Sequence, residues 1–157
     1  MNSPLSQLRR RDLVIAYTLL RILFGVNFFN HGFVGIFGEG SLPQYAQEMV
    51  DLFQSTPTAI AVPEVLVRGP AFLVPIVELL IGIGITLGVG TGLSLIVGMV
   101  LLTMLTYGVT LLENWGAASS QLSYAIVFTL LIAGRCFNDL SVDKAISRRQ
   151  RRGGKFM

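Results

Sequence analysis

Four long apolar runs, separated by glycine-rich turns or clustered charge, set the pattern of the chain. The first covers about 13–37, where Arg21 is the only residue among Asp, Glu, Lys and Arg. The second covers 70–89 with the single charge Glu78, the third 93–112 with none, and the fourth 122–138 with only Arg135. A helix crossing a hydrocarbon layer of about 30 Å needs about 20 predominantly apolar residues, and each run is near that length. In lipid every backbone N–H and C=O must find a partner within the protein, which a helix provides by itself. The pattern therefore predicts an all-α polytopic membrane protein: a four-transmembrane-helix bundle forming one domain over 1–157. Asp12 stands where an N-cap belongs, and Gly38 and Gly40 end the first run. Pro75 is expected in the first turn or two of the second helix, where its missing N–H costs little.

Gly88-Val89-Gly90-Thr91-Gly92 leaves room only for a tight turn, so the second and third spans must form an antiparallel hairpin. Gly84, Gly88 and Gly92 recur at four-residue spacing, with Gly98 beyond, and predict close helix–helix approach across that hairpin. Between the first and second spans lies segment 39–69. Ser41 and Gln44 form a capping-box pattern. Leu42, Tyr45, Ala46, Met49 and Phe53 then recur at helical spacing, predicting a short amphipathic helix on the membrane surface or over the bundle mouth.

Charge then orients this frame. The chain is 52% hydrophobic and only 13% charged, against roughly a quarter charged in soluble domains. Basic residues gather in two tails, Arg9-Arg10-Arg11 within 1–12, and Lys144, Arg148, Arg149, Arg151, Arg152 and Lys155 within 139–157. Segment 39–69 carries Glu39, Glu48, Asp51 and Glu64 against Arg68. Flanking an even number of spans, this distribution predicts cytoplasmic N and C termini, with the tails on anionic lipid and not on nucleic acid; the membrane is expected to be the plasma (inner) membrane of a bacterium. The first run is too long for the roughly 7–15-residue core of a signal peptide, and is expected to stay as a helix. Tyr17, Tyr107 and Trp115, the last read as a loop residue, fit aromatic belts at the two interfaces. Cys136 stands alone, which excludes an internal disulfide, and is expected to be a small apolar filler.

Ionisable groups inside lipid are costly and need a partner or a purpose. They are Arg21, Glu78 and Arg135, accompanied by Asn27, Asn30 and His31. The three uncharged ones share one helical face, at offsets of three and four. At a rise of about 1.5 Å per residue, Arg21 and Glu78 each lie roughly 12 Å from opposite surfaces, and about 6 Å apart in depth. His31, near the outer end of the first span, also lies within reach of Glu78, and Arg135 falls near the level of Arg21. The arrangement predicts either an Arg21–Glu78 ion pair that holds the helices together, or a polar pocket for a quinone headgroup, a proton or a small polar ligand. His31 is the only histidine, so no metal site with Cys/His/acid spacing and no two-histidine haem is expected. Phosphate-binding loops, dinucleotide fingerprints and nucleophile elbows are absent from the sequence.

These residues carry a resemblance. Arg21-Ile-Leu-Phe-Gly25 followed by Asn30-His31-Gly32 and Phe37, then Pro75-Ile-Val-Glu78-Leu-Leu-Ile-Gly82 with Gly88, then Gly134 and Leu140-Ser141-Val142-Asp143, together resemble the DoxX family of small four-helix membrane proteins. The family commonly has a lysine three residues after its His-Gly pair, where this chain has Gly35. The resemblance implies similarity to the small subunit of thiosulfate:quinone oxidoreductase and a place in membrane redox, sulfur or oxidative-stress metabolism. It implies no intrinsic cofactor, with quinone as the candidate ligand, and a homo-oligomer or a redox protein as partner. The leading expectation is thus a subunit of a quinone-linked redox or stress assembly, with no self-contained catalytic motif. A non-catalytic assembly partner or chaperone, docking through the amphipathic segment, is the first alternative, and a small transporter the second.

Overall fold

The computed structural model describes residues 4–38, 40 and 42–153, and side chains within 9–150. Among these the chain is all helix and turn. Four helices are long and apolar enough to cross a membrane: α1 (Pro4–Phe37), α3 (Glu64–Leu87), α4 (Thr91–Leu111) and α5 (Trp115–Ala133). A short helix α2 (Leu42–Ser55) joins α1 to α3, and α6 (Val142–Gly153) follows a 3-10 turn at Arg135–Phe137. The four-span bundle and the amphipathic insertion stand as the apolar pattern predicts. Ser41 of the capping box and Glu39 lie outside the described residues, as does Lys155.

Several boundaries differ. Helix α1 begins at Pro4, so Asp12 lies inside it and caps nothing. Helix α3 begins at Glu64, so Pro70 and Pro75 both sit within it, and Pro75 is buried well past the first two turns. Apolar content marks where a helix meets lipid; α1 and α3 keep their hydrogen bonding beyond that point, into polar residues. Trp115 opens α5 instead of sitting in the preceding loop, and Asn114 caps that helix by accepting from the Ala117 N–H at 3.1 Å. Trp115 and Tyr107 are exposed as belt residues should be, whereas Tyr17 is buried against α5 beside Gly134. Cys136 is exposed, not a filler.

The tightest helix pair is α1 with α3, and not the α3–α4 hairpin. A Cβ on Gly25 would meet the backbone of Thr86, one on Gly32 the backbone of Leu79 and Pro75, and one on Gly82 the backbone of Phe29. These three contacts lock an antiparallel register in which 25 faces 86, 29 faces 82 and 32 faces 79. Across the hairpin Gly84 meets the Ser94 side chain, while Gly88 and Gly92 face arginine guanidinium groups, so the four-residue glycine series serves only in part the approach it predicts. Gly88 and Gly90 take left-handed backbone, φ 72° and 56°, which is what reverses the chain there.

Behind this pair the core is aromatic. Phe24 meets Phe128 edge-to-face at 4.7 Å, and Phe28 and Tyr124 complete the cluster. The first turns of α1 and the start of α6 lie at one end of the bundle, where Arg10 reaches Asp139 at 3.4 Å. That end carries most of the basic residues described, and the opposite end carries α2, with Arg68 beside it.

Candidate functional site

Under α2 the bundle opens into a cavity of about 1720 Å³, bounded by α1, α2, α3, α4 and the start of α5. Asn27, Asn30 and His31 reach its wall from α1 and Glu78 from α3. They meet because the α1–α3 register brings Glu78 level with the residues just after Gly32. Asn30 and His31 are exposed to the cavity mouth, whereas Asn27 and Glu78 are half-buried. The rest of the wall is mostly apolar, including Leu101, Met104 and Leu105 of α4.

Helix α2 is a lid and not a plain connector. Its amphipathic face buries Ala46 and Val50 completely or nearly so, and turns Tyr45, Met49 and Phe53 to the cavity. Burial pushes the Tyr45 phenol up, and the nearby Glu78 carboxylate adds to this. A polar cluster holds the lid from outside: Arg68 of α3 donates to Gln47 of α2 at 2.7 Å and pairs with Glu64 on its own helix. The connection after α2 is tied to α4 where the Thr58 hydroxyl donates to the Leu111 carbonyl at 2.6 Å.

Of the six polar residues that the sequence singles out, the cavity gathers Asn27, Asn30, His31 and Glu78, and leaves out Arg21 and Arg135. The Arg21–Glu78 ion pair is not formed. The depth estimate assumed that every span ends at a common surface, but α1 overshoots the α3–α4 turn. Arg21 is therefore level with that turn, about a dozen residues or ~18 Å along the axis from Glu78. Buried to 2% exposure, it donates to the carbonyl of Ile85 at 2.8 Å and of Leu140 at 2.9 Å. The carbonyls closing a helix have no partner within it and carry its negative pole, so a cation at the end of α3 is well placed. Arg135 is exposed, with its guanidinium beside Gly92 at the basic end.

Tyr45 is legible in the sequence as part of the amphipathic face, though nothing in the pattern aims it at Glu78, and Gln121 is not legible at all. Gln121, nearly two turns into α5, has a buried Oε1 with no hydrogen-bond donor among the described residues. No group of three His, Cys, Asp or Glu among the described residues could hold a metal ion.

At the basic end a second polar cluster is structural. Asp143 accepts from the N–H of Gly90 at 2.8 Å, the N–H of Thr91 at 2.9 Å and the Thr91 hydroxyl at 3.1 Å. It thus caps α4 from a distant part of the chain. Burial opposes its ionisation, but these hydrogen bonds, with the field of Arg21, outweigh that and hold its carboxyl below the usual aspartate range. A lowered folded pKa contributes stability that is fully present above the unfolded value of about 3.9, and is lost as pH falls through the folded value. Hydrogen-exchange protection of the Gly90 and Thr91 amides should therefore hold above about pH 4 and fall below it. In Asp143→Asn, protection should be lower at neutral pH and nearly flat across that range. Equal profiles for the two proteins would show that the carboxylate does not secure the turn.

The family model DoxX matches residues 16–112, from the second turn of the apolar stretch of α1 to the end of α4. That stretch contains Asn27, Asn30, His31 and Glu78. No curated protein and no solved structure matches the chain.

Proposed function

This chain belongs to the DoxX family, and from that premise we propose that it is an integral subunit of a quinone-linked redox or stress-response assembly, binding a quinone in the cavity beneath α2. The observation that carries this reading is the convergence of Asn27, Asn30, His31 and Glu78 at one side of an otherwise mainly apolar cavity. Amide and imidazole N–H groups can donate to quinone carbonyls, and Glu78 can accept from a quinol hydroxyl. Apolar walls with a few convergent polar groups are the usual make-up of a small-molecule site. Arg21 and Arg135 do not line this cavity. The acidic lid end would face outward and the basic end the cytoplasm of a bacterial cell, with the basic tails on anionic lipid.

An assembly-partner role would use α2 as its docking surface. The apolar face of α2 already packs on the bundle, so that surface would be limited to its polar side.

The test is saturable binding of decylquinone to protein in phosphatidylcholine nanodiscs. Losing a hydrogen bond to a charged or buried group costs roughly 1.5–3 kcal/mol, so Glu78→Gln and His31→Ala should each weaken binding by about 10- to 100-fold. Affinity unchanged in both variants would remove the quinone reading.

A further inference from the structure

The charge of the cavity wall narrows the ligand class. Among the described lining residues there is no lysine or arginine, while Glu48 and Glu78 supply two carboxyl groups. His31 is the one lining side chain able to take a positive charge. The strong cations do not line it: Arg21 is tied to carbonyls at the α3–α4 turn, Arg135 and Arg10 lie at the basic end, and Arg68, at the lid, stands outside the wall and is paired with Glu64. An anionic head entering beneath α2 would give up hydration in low dielectric with no fixed counter-charge to replace it, and any charge on the Glu78 carboxyl would repel it with little screening.

Asn27, Asn30 and Gln121 are uncharged groups that both donate and accept, and the buried Gln121 Oε1 still lacks a donor among the described residues. A hydroxyl-bearing head answers that need; a quaternary cation cannot. The cavity, at about 1720 Å³, also exceeds the roughly 300–1,000 Å³ of sites for compact ligands. A headgroup alone leaves Met49, Phe53 and Met104 uncovered, and an apolar chain would cover them.

We infer that the cavity selects uncharged, hydroxyl-bearing amphiphiles over anionic and quaternary cationic ones, with the head at Asn27, Asn30, His31 and Glu78 and the chain beneath α2. The inference rests on this cavity being the ligand site proposed above, but not on the ligand being a quinone. The two ends of the bundle then sort lipids by charge, with anionic heads at the basic end and uncharged heads at the lid end.

Direct binding of radiolabelled hexadecanol, hexadecyl sulfate and hexadecyltrimethylammonium, at equal mole fractions in phosphatidylcholine nanodiscs, tests it. These probes share one chain and differ in the head, which is a neutral hydroxyl, a permanent anion or a permanent cation. Hexadecanol should bind saturably, and the sulfate at least about tenfold more weakly, a difference of about 1.4 kcal/mol. Glu78→Gln should narrow that gap. A hexadecanol analogue with a photoreactive chain end should label Met49, Phe53 or Met104. Sulfate binding equal to or tighter than the alcohol, tighter binding of the ammonium probe, or labelling confined to the basic end would each overturn the inference. Because the probes contain no quinone, hexadecanol selectivity without decylquinone binding would sink the quinone reading alone. Decylquinone binding without charge selectivity would sink this one alone.

Discussion

Arg21→Ala is expected to lower the stability of the reconstituted bundle by about 3–6 kcal/mol, from two hydrogen bonds to a charged donor worth roughly 1.5–3 kcal/mol each. The substitution strands the carbonyls of Ile85 and Leu140, which accept from one guanidinium at 2.8 and 2.9 Å. It also empties a buried site at the meeting point of α1, the α3–α4 turn and the segment leading into α6. Arg21→Lys should recover only part of the loss, because a single ammonium lacks the fork that reaches two carbonyls at once. Denaturant titration in mixed micelles reads both values. An alanine variant as stable as the parent would mean that those carbonyls find other donors, and that Arg21 is not the clamp of this end.

A comparable or larger loss is expected from Gly82→Leu. Even a Cβ at Gly82 would run into the backbone N and Cα of Phe29, and backbone cannot swing aside as a flexible side chain can. Overpacking a tight contact costs about 1–3 kcal/mol for small additions, so Gly82→Ala should fall in that range and Gly82→Leu beyond it. Separating α1 from α3 would also pull Asn27, Asn30 and His31 away from Glu78, so ligand binding should fall with stability. Gly69→Ala is the natural comparison: nothing lies within 4 Å of its Cβ, and exchanging a helical glycine for alanine is worth up to about 1 kcal/mol in favour of the helix. If Gly82→Ala behaved like Gly69→Ala, the glycine contacts would not be what sets the α1–α3 register.

That register is also why the candidate site could be read only in part. The polar stripe Asn27, Asn30 and His31 follows from helical spacing, and Glu78 from its isolation in an apolar run. Counting inward from presumed helix ends puts His31 within reach of Glu78, but Arg21 as well; setting Arg21 apart needed the fact that Gly32 faces Leu79, because nothing along the chain says how far one helix slides past another. The Leu140-Ser141-Val142-Asp143 stretch shows the same limit: as a motif it marks the end of the fold, and only in three dimensions does it become the cap of α4 and the acceptor for Arg21.

What the amino-acid order settles here is everything governed by the contrast between oil and water: four spans, an amphipathic insertion between the first two, and a basic end opposite an acidic one. Those follow from the transfer energies of single side chains, which a linear pattern records directly. The tertiary structure alone decided which buried polar groups face one another, that α2 closes a cavity, and that the two arginines stand apart from it. Those depend on backbone-to-backbone distance at three glycines, and a missing side chain leaves no mark in a pattern until the helix it admits is seen against it.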